Sequence, residues 1–198
     1  ALACAVTDAG GQAFRVAAVP DELRALADTI EDQLVRADVL ITTGGLSVGQ
    51  GDTVKDVLAP LGSVRFDAVA MSPGRQLGVG TVEGTPIFCL PGDPVSAQIA
   101  FETFVRPVLR QIAGRTSLHR SSLPATISEG WHSPSGKREF VPVRVSGSPS
   151  RGYRAEPTTP PGTVRLHGLS EANAIAVVPE DTSTVVAGDT LHCLLLDA

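Results

Sequence analysis

The segment at residues 38–58, DVLITTGGLSVGQGDTVKDVL, constrains the fold of this chain more than any other. Residues 38–43 are the apolar run of a buried strand, and residues 53–61 are predicted to form a short helix. A turn with four glycines joins them. A strand that runs through such a turn into a helix is typical of α/β sheets, which bind ligands at the carboxyl ends of their strands. The segment therefore predicts an α/β domain with a ligand site at this turn.

The remainder of the first 114 residues alternates helical and strand patterns. Further strands are predicted at 14–19, 64–71 and 86–90, and helices before Gly10, at 21–36 and at 94–114, with a kink at Pro107. Short connections between such elements predict a three-layer domain, in which helices cover both faces of a mostly parallel sheet.

The composition changes after residue 114. The first 114 residues hold eight basic and thirteen acidic residues, whereas the last 84 hold eight of each and eight prolines. Strand patterns at 123–131, 138–146, 153–157, 174–179 and 189–196 predict a small all-β barrel or sandwich. The polar stretch 114–122 places the boundary, so the predicted domains are 1–116 and 117–198.

The net charge and the cysteines exclude several classes of protein. A net charge of −5 argues against a nucleic-acid-binding protein. No apolar run reaches the roughly 18 residues of a membrane helix, so no membrane contact is expected. Three scattered cysteines are too few for a disulfide framework or a metal cage and indicate the reducing cytoplasm. Because the chain begins inside a helical pattern, we expect it to be a piece of a larger protein.

The glycine-rich turn after the strand at 38–43 has two interpretations: it either holds a phosphate on its backbone or is only a tight turn. The acidic residues that flank the predicted strand-to-helix connections also have two interpretations. Asp52 either caps the following helix or is a metal-facing or catalytic acid. Asp21 follows a strand pattern and opens an acidic helix, so capping is the default interpretation.

A second strand-to-helix turn lies in CLPGDPVSAQIAFETF, residues 89–104. Asp93 is predicted to be the N-cap, with Pro94 at the first helical position. Ser96 lies in the first helical turn, where its hydroxyl and nearby N–H groups can meet an anion. Pro91-Gly92 is alternatively only a sharp turn. Two such turns in one sheet predict a shared pocket, to which Arg75, on a Pro-Gly turn, either adds a positive charge or remains solvated.

Three ordered segments carry a family pattern: TTGGLSVGQGDTVKDVL, VRFDAVAMSPGRQLGVG and FCLPGDPVSAQIAFETFVRPVLRQIAG. They closely resemble the molybdopterin molybdenumtransferases, the MoeA-type enzymes related to the gephyrin E domain. The first 114 residues resemble the molybdopterin-binding α/β domain of that family without its opening strand and TGDE-like motif. The tail, GKREFVPVRV through AGDTLHCLLL, resembles the family's small C-terminal β-barrel. The resemblance implies that the chain is a C-terminal portion.

The resemblance implies insertion of molybdate into adenylylated molybdopterin, with release of AMP and help from Mg²⁺. It also implies a cytoplasmic homodimer and a molybdopterin adenylyltransferase as a possible partner. Asp52 matches the family's acid for metal or molybdate handling, and Asp21 matches an acid that borders the site. The residues implied in substrate binding are Gly44, Gly45, Ser47, Gly49, Ser72, Arg75, Pro91, Gly92, Asp93, Pro94 and Ser96.

The chain departs from the family pattern at four places. Ser72 and Arg75 stand where two lysines are usual, and Asp93 stands where asparagine is usual. His167-Gly168 replaces a usual Ser-Ser pair. These departures leave two alternatives to the enzyme: a non-catalytic molybdopterin-binding paralogue or gephyrin-like scaffold, and a related α/β domain with another nucleotide-like substrate.

Overall fold

The computed structural model describes residues 1–46, 53–163 and 165–196 and divides into two units. The first unit comprises Ala1–Val69 and Gly74–Leu118. The second comprises Ala70–Pro73 and the chain from His119 onward. No pattern in the sequence predicts that residues 70–73 belong to the second unit. The domain boundary between residues 116 and 117 stays a prediction.

A four-stranded sheet organises the first unit. Its strands, in spatial order, are β1 (Leu40–Thr43), β5 (Thr85–Leu90), β4 (Gln76–Val82) and β2 (Gly62–Ala68). β1 and β5 are parallel, whereas β4 runs antiparallel to both β5 and β2. The described sheet is therefore mixed rather than mostly parallel. The difference arises because residues 76–82 form a strand that was not predicted, and because a two-residue turn with positive φ at Glu83 and Gly84 makes β4 and β5 a hairpin.

The predicted strand at residues 14–19 is not present as a strand in the described structure. Phe14 and Val16 are exposed instead, with 67% and 49% of their surface accessible. An apolar run of this kind becomes a strand only when a neighbouring strand accepts its hydrogen bonds. Within the described residues this segment pairs with no strand. The apolar run is present, but the prediction that it forms a strand is therefore wrong.

Helices cover both faces of the sheet of the first unit. They are α1 (Leu2–Asp8), α2 (Leu23–Leu34), α3 (Thr53–Leu61) and a long helix built from α4 (Pro94–Ala100), a π-helical turn (Phe101–Val105) and α5 (Arg106–Ile112). Phe88 and Leu90 pack with residues of α1, α4 and α5, whereas Ile87 and Cys89 pack with residues of α2 and α3. Alternate residues of β5 thus serve opposite apolar cores. The π-helical turn ends two residues before Pro107, whose missing N–H interrupts the regular hydrogen-bond pattern.

The second unit is a five-stranded barrel, as predicted. Its strands, in spatial order, are β10 (Ala174–Val178), β12 (Thr190–Leu195), β6 (Ser122–Ile127), β9 (Gly152–Pro157) and β8 (Arg138–Ser148), and β8 pairs with β10 to close it. Small and branched side chains such as Ala176, Val143 and Cys193 fill the interior. Three further elements are short: β3 (Met71–Ser72) beside β8, the ribbon of β7 (Trp131–His132) and β11 (Thr184–Val185), and helix α6 (Leu166–Glu171).

None of the helices in the described ranges is both long and apolar enough to cross a membrane.

Candidate functional site

The two predicted glycine turns meet in the first unit. Because β1 and β5 are parallel neighbours, their carboxyl ends lie at the same edge of the sheet. The Gly44 N–H donates a hydrogen bond of 3.0 Å to the Leu90 carbonyl oxygen. A Cβ atom at Gly92 would lie 3.3 Å from Gly44 Cα, so the two backbones pack with no side chain between them. This backbone contact defines the candidate site.

Gly45 connects the turn after β1 to helix α3. Its φ of +67° lies in the left-handed region that favours glycine, and a Cβ atom there would lie 2.5 Å from Val54 Cγ2. The turn therefore needs glycine both for its conformation and for its packing on α3. The predicted site residues Ser47, Gly49 and Asp52 lie outside the described residues, so their roles stay predictions.

The turn after β5 ends in a capped helix. Asp93 is the N-cap of α4, and its carboxylate Oδ1 accepts a hydrogen bond of 2.7 Å from the Ser96 N–H. The Asp93 carbonyl accepts the Ala97 N–H at 2.8 Å, and Pro94 at the first helical position has no N–H. The cap and Pro94 agree with the sequence prediction. The N–H of buried Ser96, however, already donates to the Asp93 carboxylate and is not available to bind an anion.

A third turn packs on the same helical end. Gly74 has a φ of +89°, and a Cβ atom there would lie 3.0 Å from the Ser96 carbonyl oxygen. The neighbouring Arg75 is exposed, and its carbonyl accepts the Val69 N–H at 2.7 Å. The structure therefore brings the Gly74-Arg75 turn and the Gly92-Asp93 turn together at the first turn of α4.

The structure also describes the predicted site residues Ser72 and Asp21. Ser72 belongs to the second unit, where β3 pairs with β8 so that Ser72 lies opposite Glu139. Asp21 is exposed and does not cap α2, because the N-cap is Glu22 and no side chain caps that end. The capping interpretation of Asp21 is wrong, while its role at the site stays a prediction.

Two buried charged residues of the long helix, Arg106 and Glu102, are not among the predicted site residues. Arg106 Nη1 lies 2.8 Å from Asp8 Oδ2, and Arg106 Nε lies 3.8 Å from Glu102 Oε2. The side chains of Arg106 and Glu102 are 6% and 3% exposed. Their spacing of four residues on a predicted helix was the available signal. The Arg106–Asp8 contact joins α5 to α1.

The cysteines are free, and two of them are shielded from solvent. Cys4 is exposed, whereas Cys89 on β5 and Cys193 on β12 are buried. Burial raises the pKa of each buried thiol from 9.0 to about 11. At neutral pH both stay protonated thiols, so neither is a nucleophile.

A metal centre is not assembled by the described part of the chain. In residues 1–46, 53–163 and 165–196, no group of three or more His, Cys, Asp or Glu side chains could hold a metal ion. The predicted metal-facing residue, Asp52, lies outside these ranges. The Mg²⁺ site at Asp52 therefore stays a prediction.

Comparison with protein families agrees with this geometry. Residues 1–111 match the family model of the probable molybdopterin binding domain, and residues 124–196 match that of the MoeA C-terminal region, domain IV. The chain therefore belongs to the family of the probable molybdopterin binding domain. Each of its two units thus matches a known family model.

Individual members of this family differ in how closely they resemble the chain. Molybdopterin molybdenumtransferase 2 of Mycobacterium tuberculosis is 37% identical over 96% of this chain and 48% of its own length. Gephyrin of Dictyostelium discoideum is 28% identical over 91% of this chain and 28% of its own length. The structure of the molybdopterin biosynthesis MoeA protein from Pyrococcus horikoshii matches the whole chain with a TM-score of 0.82 at 25% identity and is itself covered to 47%. The chain spans about half the length of the curated molybdenumtransferases it matches.

Proposed function

We propose that this chain is part of a molybdopterin molybdenumtransferase. The proposed reaction inserts molybdate into the dithiolene of adenylylated molybdopterin and releases AMP. The observation that carries the proposal is the backbone contact between Gly44 and Gly92, at the strand ends of a molybdopterin-binding family member. Without side chains at these positions, a phosphate group can approach the backbone closely.

The proposed roles follow the three turns. The turn after β1 cradles the pterin phosphate, the turn after β5 forms the adjoining wall, and Arg75 supplies a countercharge. Asp52 and Asp21 are the proposed catalytic acids. The proposed substrate-binding residues are Gly44, Gly45, Ser47, Gly49, Ser72, Arg75, Pro91, Gly92, Asp93, Pro94 and Ser96.

The Mg²⁺ proposal rests on the family resemblance and on Asp52. When bound, Mg²⁺ supplies positive charge to phosphate oxygens, with one or two carboxylates and several waters as its other ligands. The described residues would then bind and orient the pterin ligand.

We also propose the finer features of the family fold and assembly for this protein. The proposed fold of the first domain is a three-layer α/β domain, with helices on both faces of its mixed sheet. The proposed domains are 1–116 and 117–198. A homodimer, a molybdopterin adenylyltransferase partner and a cytoplasmic location complete the proposal.

The proposal is tested by binding and turnover. The protein is expected to bind molybdopterin in titration calorimetry, and to release AMP from adenylylated molybdopterin when molybdate is added. Arg75→Ala should weaken molybdopterin binding by about tenfold, because a charge-assisted hydrogen bond contributes about 1.5–3 kcal/mol. Arg65→Ala, which removes another exposed arginine of the same unit, is the control and should bind normally. Unchanged binding by Arg75→Ala would make Arg75 a solvated turn residue, and no binding by the wild type would refute the proposal.

A non-catalytic molybdopterin binder or gephyrin-like scaffold is the second candidate. The similarity to the Dictyostelium gephyrin and the serine at position 72 favour it. Tight molybdopterin binding without molybdate-dependent AMP release would select this candidate.

A further inference from the structure

One edge of the sheet in the first unit has no partner strand in the described part of the chain. β2 (Gly62–Ala68) is the last strand in the spatial order β1, β5, β4, β2, and its described partner is β4. Its seven residues are exposed or half-buried, and none of them is proline. The outward N–H and C=O groups of such a strand are a template for pairing with another strand.

The charges on β2 are of opposite sign and lie on one face of the sheet. Arg65 and Asp67 are two residues apart, so their side chains share a face, and Arg65 Nη2 lies 3.0 Å from Asp67 Oδ2. Their side chains are 82% and 58% exposed. Charged side chains on an edge strand commonly keep other strands away. One basic and one acidic residue, however, attract a strand that carries the same two charges in the opposite order.

A second copy of β2, run antiparallel, presents that opposite order. When two copies pair about a two-fold axis through Phe66, Arg65 of each copy lies opposite Asp67 of the other copy. Two cross-strand ion pairs then form on one face, and the two Phe66 side chains meet on the other. A register shifted by two residues places Arg65 opposite Arg65, or Asp67 opposite Asp67. The charges therefore select one register.

The face of the sheet that carries these charges is open beside β2. Arg65 and Asp67 line a cavity of about 260 Å³ together with Val69, Leu77 and Val79. Val79, an apolar residue of β4, is 39% exposed there. A strand added at this edge continues the face and covers part of its apolar surface, which favours association.

We propose that β2 is a self-association surface, through which two copies of this chain join their sheets by antiparallel pairing of β2 with β2 about Phe66. The inference specifies the surface of the homodimer included in the proposed function, and it rests on that function in this respect alone. Because β4 separates β2 from β5, the pairing does not involve the Gly44–Gly92 contact. One strand from each copy makes a small interface, so dissociation in the micromolar range is expected.

Charge reversal tests the register. Sedimentation velocity should show a concentration-dependent dimer for the wild type. Arg65→Asp should raise the dimer dissociation constant at least about tenfold, because both cross-strand attractions become repulsions. Arg65→Asp/Asp67→Arg should return the constant to near the wild-type value, since the charges are again complementary. Arg24→Asp makes the same change in net charge in the exposed Arg24–Asp28 pair of α2 and should leave the constant unchanged.

Cross-linking tests the geometry of the pair. The background variant is Cys4→Ser, which removes the exposed cysteine. In that background, an equal mixture of Arg65→Cys and Asp67→Cys should form disulfide-linked dimers several-fold faster than either variant alone. The reason is that position 65 lies opposite position 67, and not opposite itself, in the proposed register.

The inference is overturned if the wild type stays monomeric at about 1 mM protein, where even a weak contact is populated. It is also overturned if Arg65→Asp dimerises as well as Arg24→Asp, if the double variant does not recover, or if the cysteine mixture cross-links no faster than its components. These measurements use no pterin ligand, so they remain readable if molybdopterin binding fails. Far-ultraviolet circular dichroism confirms that each variant is folded.

Discussion

Two sets of glycines in the two units have different surroundings. In the second unit, a Cβ atom at Gly130, beside the β7–β11 ribbon, would lie 2.6 Å from the Val185 carbonyl oxygen, and Gly147 lies opposite Tyr153 across a hairpin. In the first unit, Gly92 meets Gly44 between two turns that follow parallel strands. Gly130 and Gly147 thus permit close strand pairing, whereas Gly44 and Gly92 permit close packing of the two strand-end turns, the proposed ligand site. Equivalent glycine substitutions at the two places are therefore expected to separate stability from binding.

The units also differ in the solvent exposure of an Arg–Glu pair. Arg106 and Glu102 are 6% and 3% exposed in the first unit, whereas Arg138 and Glu180 are 53% and 55% exposed in the barrel. Water screens a surface pair, so breaking it costs little free energy. Removing one partner of a buried pair leaves the opposite charge in the interior, which costs more. The two pairs are therefore expected to differ in how much they contribute to stability.

The largest expected effect is from Arg106→Ala. It removes the cation beside buried Glu102 and should lower the free energy of unfolding of the first unit by about 3–5 kcal/mol. Urea unfolding followed by far-ultraviolet circular dichroism measures it, because the long helices lie in the first unit. The double variant Glu102→Gln/Arg106→Met should recover much of the loss, since the buried carboxylate is then removed together with the cation.

The exposed pair provides the control for Arg106→Ala. Arg138→Ala, unfolded in the same way, is expected to leave the transition of either unit where it is in the wild type. An equal loss in both variants would contradict the distinction between a buried and an exposed pair, and would point to lost side-chain packing instead.

A smaller effect is expected from Gly130→Ala in the barrel. The new methyl group would approach the Val185 carbonyl, which belongs to the backbone and cannot rotate away, so the barrel should lose about 1–3 kcal/mol. Fluorescence of Trp131, the single tryptophan of the chain, reports the unfolding of this unit. Glu129→Ala, at the exposed neighbouring position, is the matched control. Equal unfolding midpoints for Gly130→Ala and Glu129→Ala would contradict this prediction and would mean that the backbone shifts to accommodate the new methyl group.

Local patterns predicted the elements that depend on local rules. The strands at 40–43 and 85–90 follow apolar runs, and the Asp93 cap with Pro94 behind it follows the preferences of a helix start. The barrel followed from short strands separated by turns. In the candidate site, the two glycine turns and their meeting were predictable because parallel strands end at the same edge.

The missed features depend on contacts between distant residues. β4 contains Gly78 and Gly80, which weaken a strand pattern, yet a Cβ atom at Gly78 would lie 2.6 Å from the Phe66 ring. Ser72 joins the second unit only because β8, far along the chain, pairs with it. The segment 14–19 reads as a strand but has no partner in the described residues. The local sequence does not indicate which distant segments these residues contact.

The smallest effect on stability, and the sharpest test of the comparison, is expected from Gly92→Ala. Its Cβ atom would lie 3.3 Å from Gly44 Cα, so the turns need separate by only a few tenths of an ångström, and the unfolding free energy should change by less than about 1 kcal/mol. Molybdopterin binding should nevertheless weaken about fivefold, because the two turns no longer present the same surface. Gly130→Ala is the reciprocal control: it should lose stability and bind normally. If Gly92→Ala binds as well as wild type, or if both variants lose binding equally, the strand-end turns have no special role in holding the ligand.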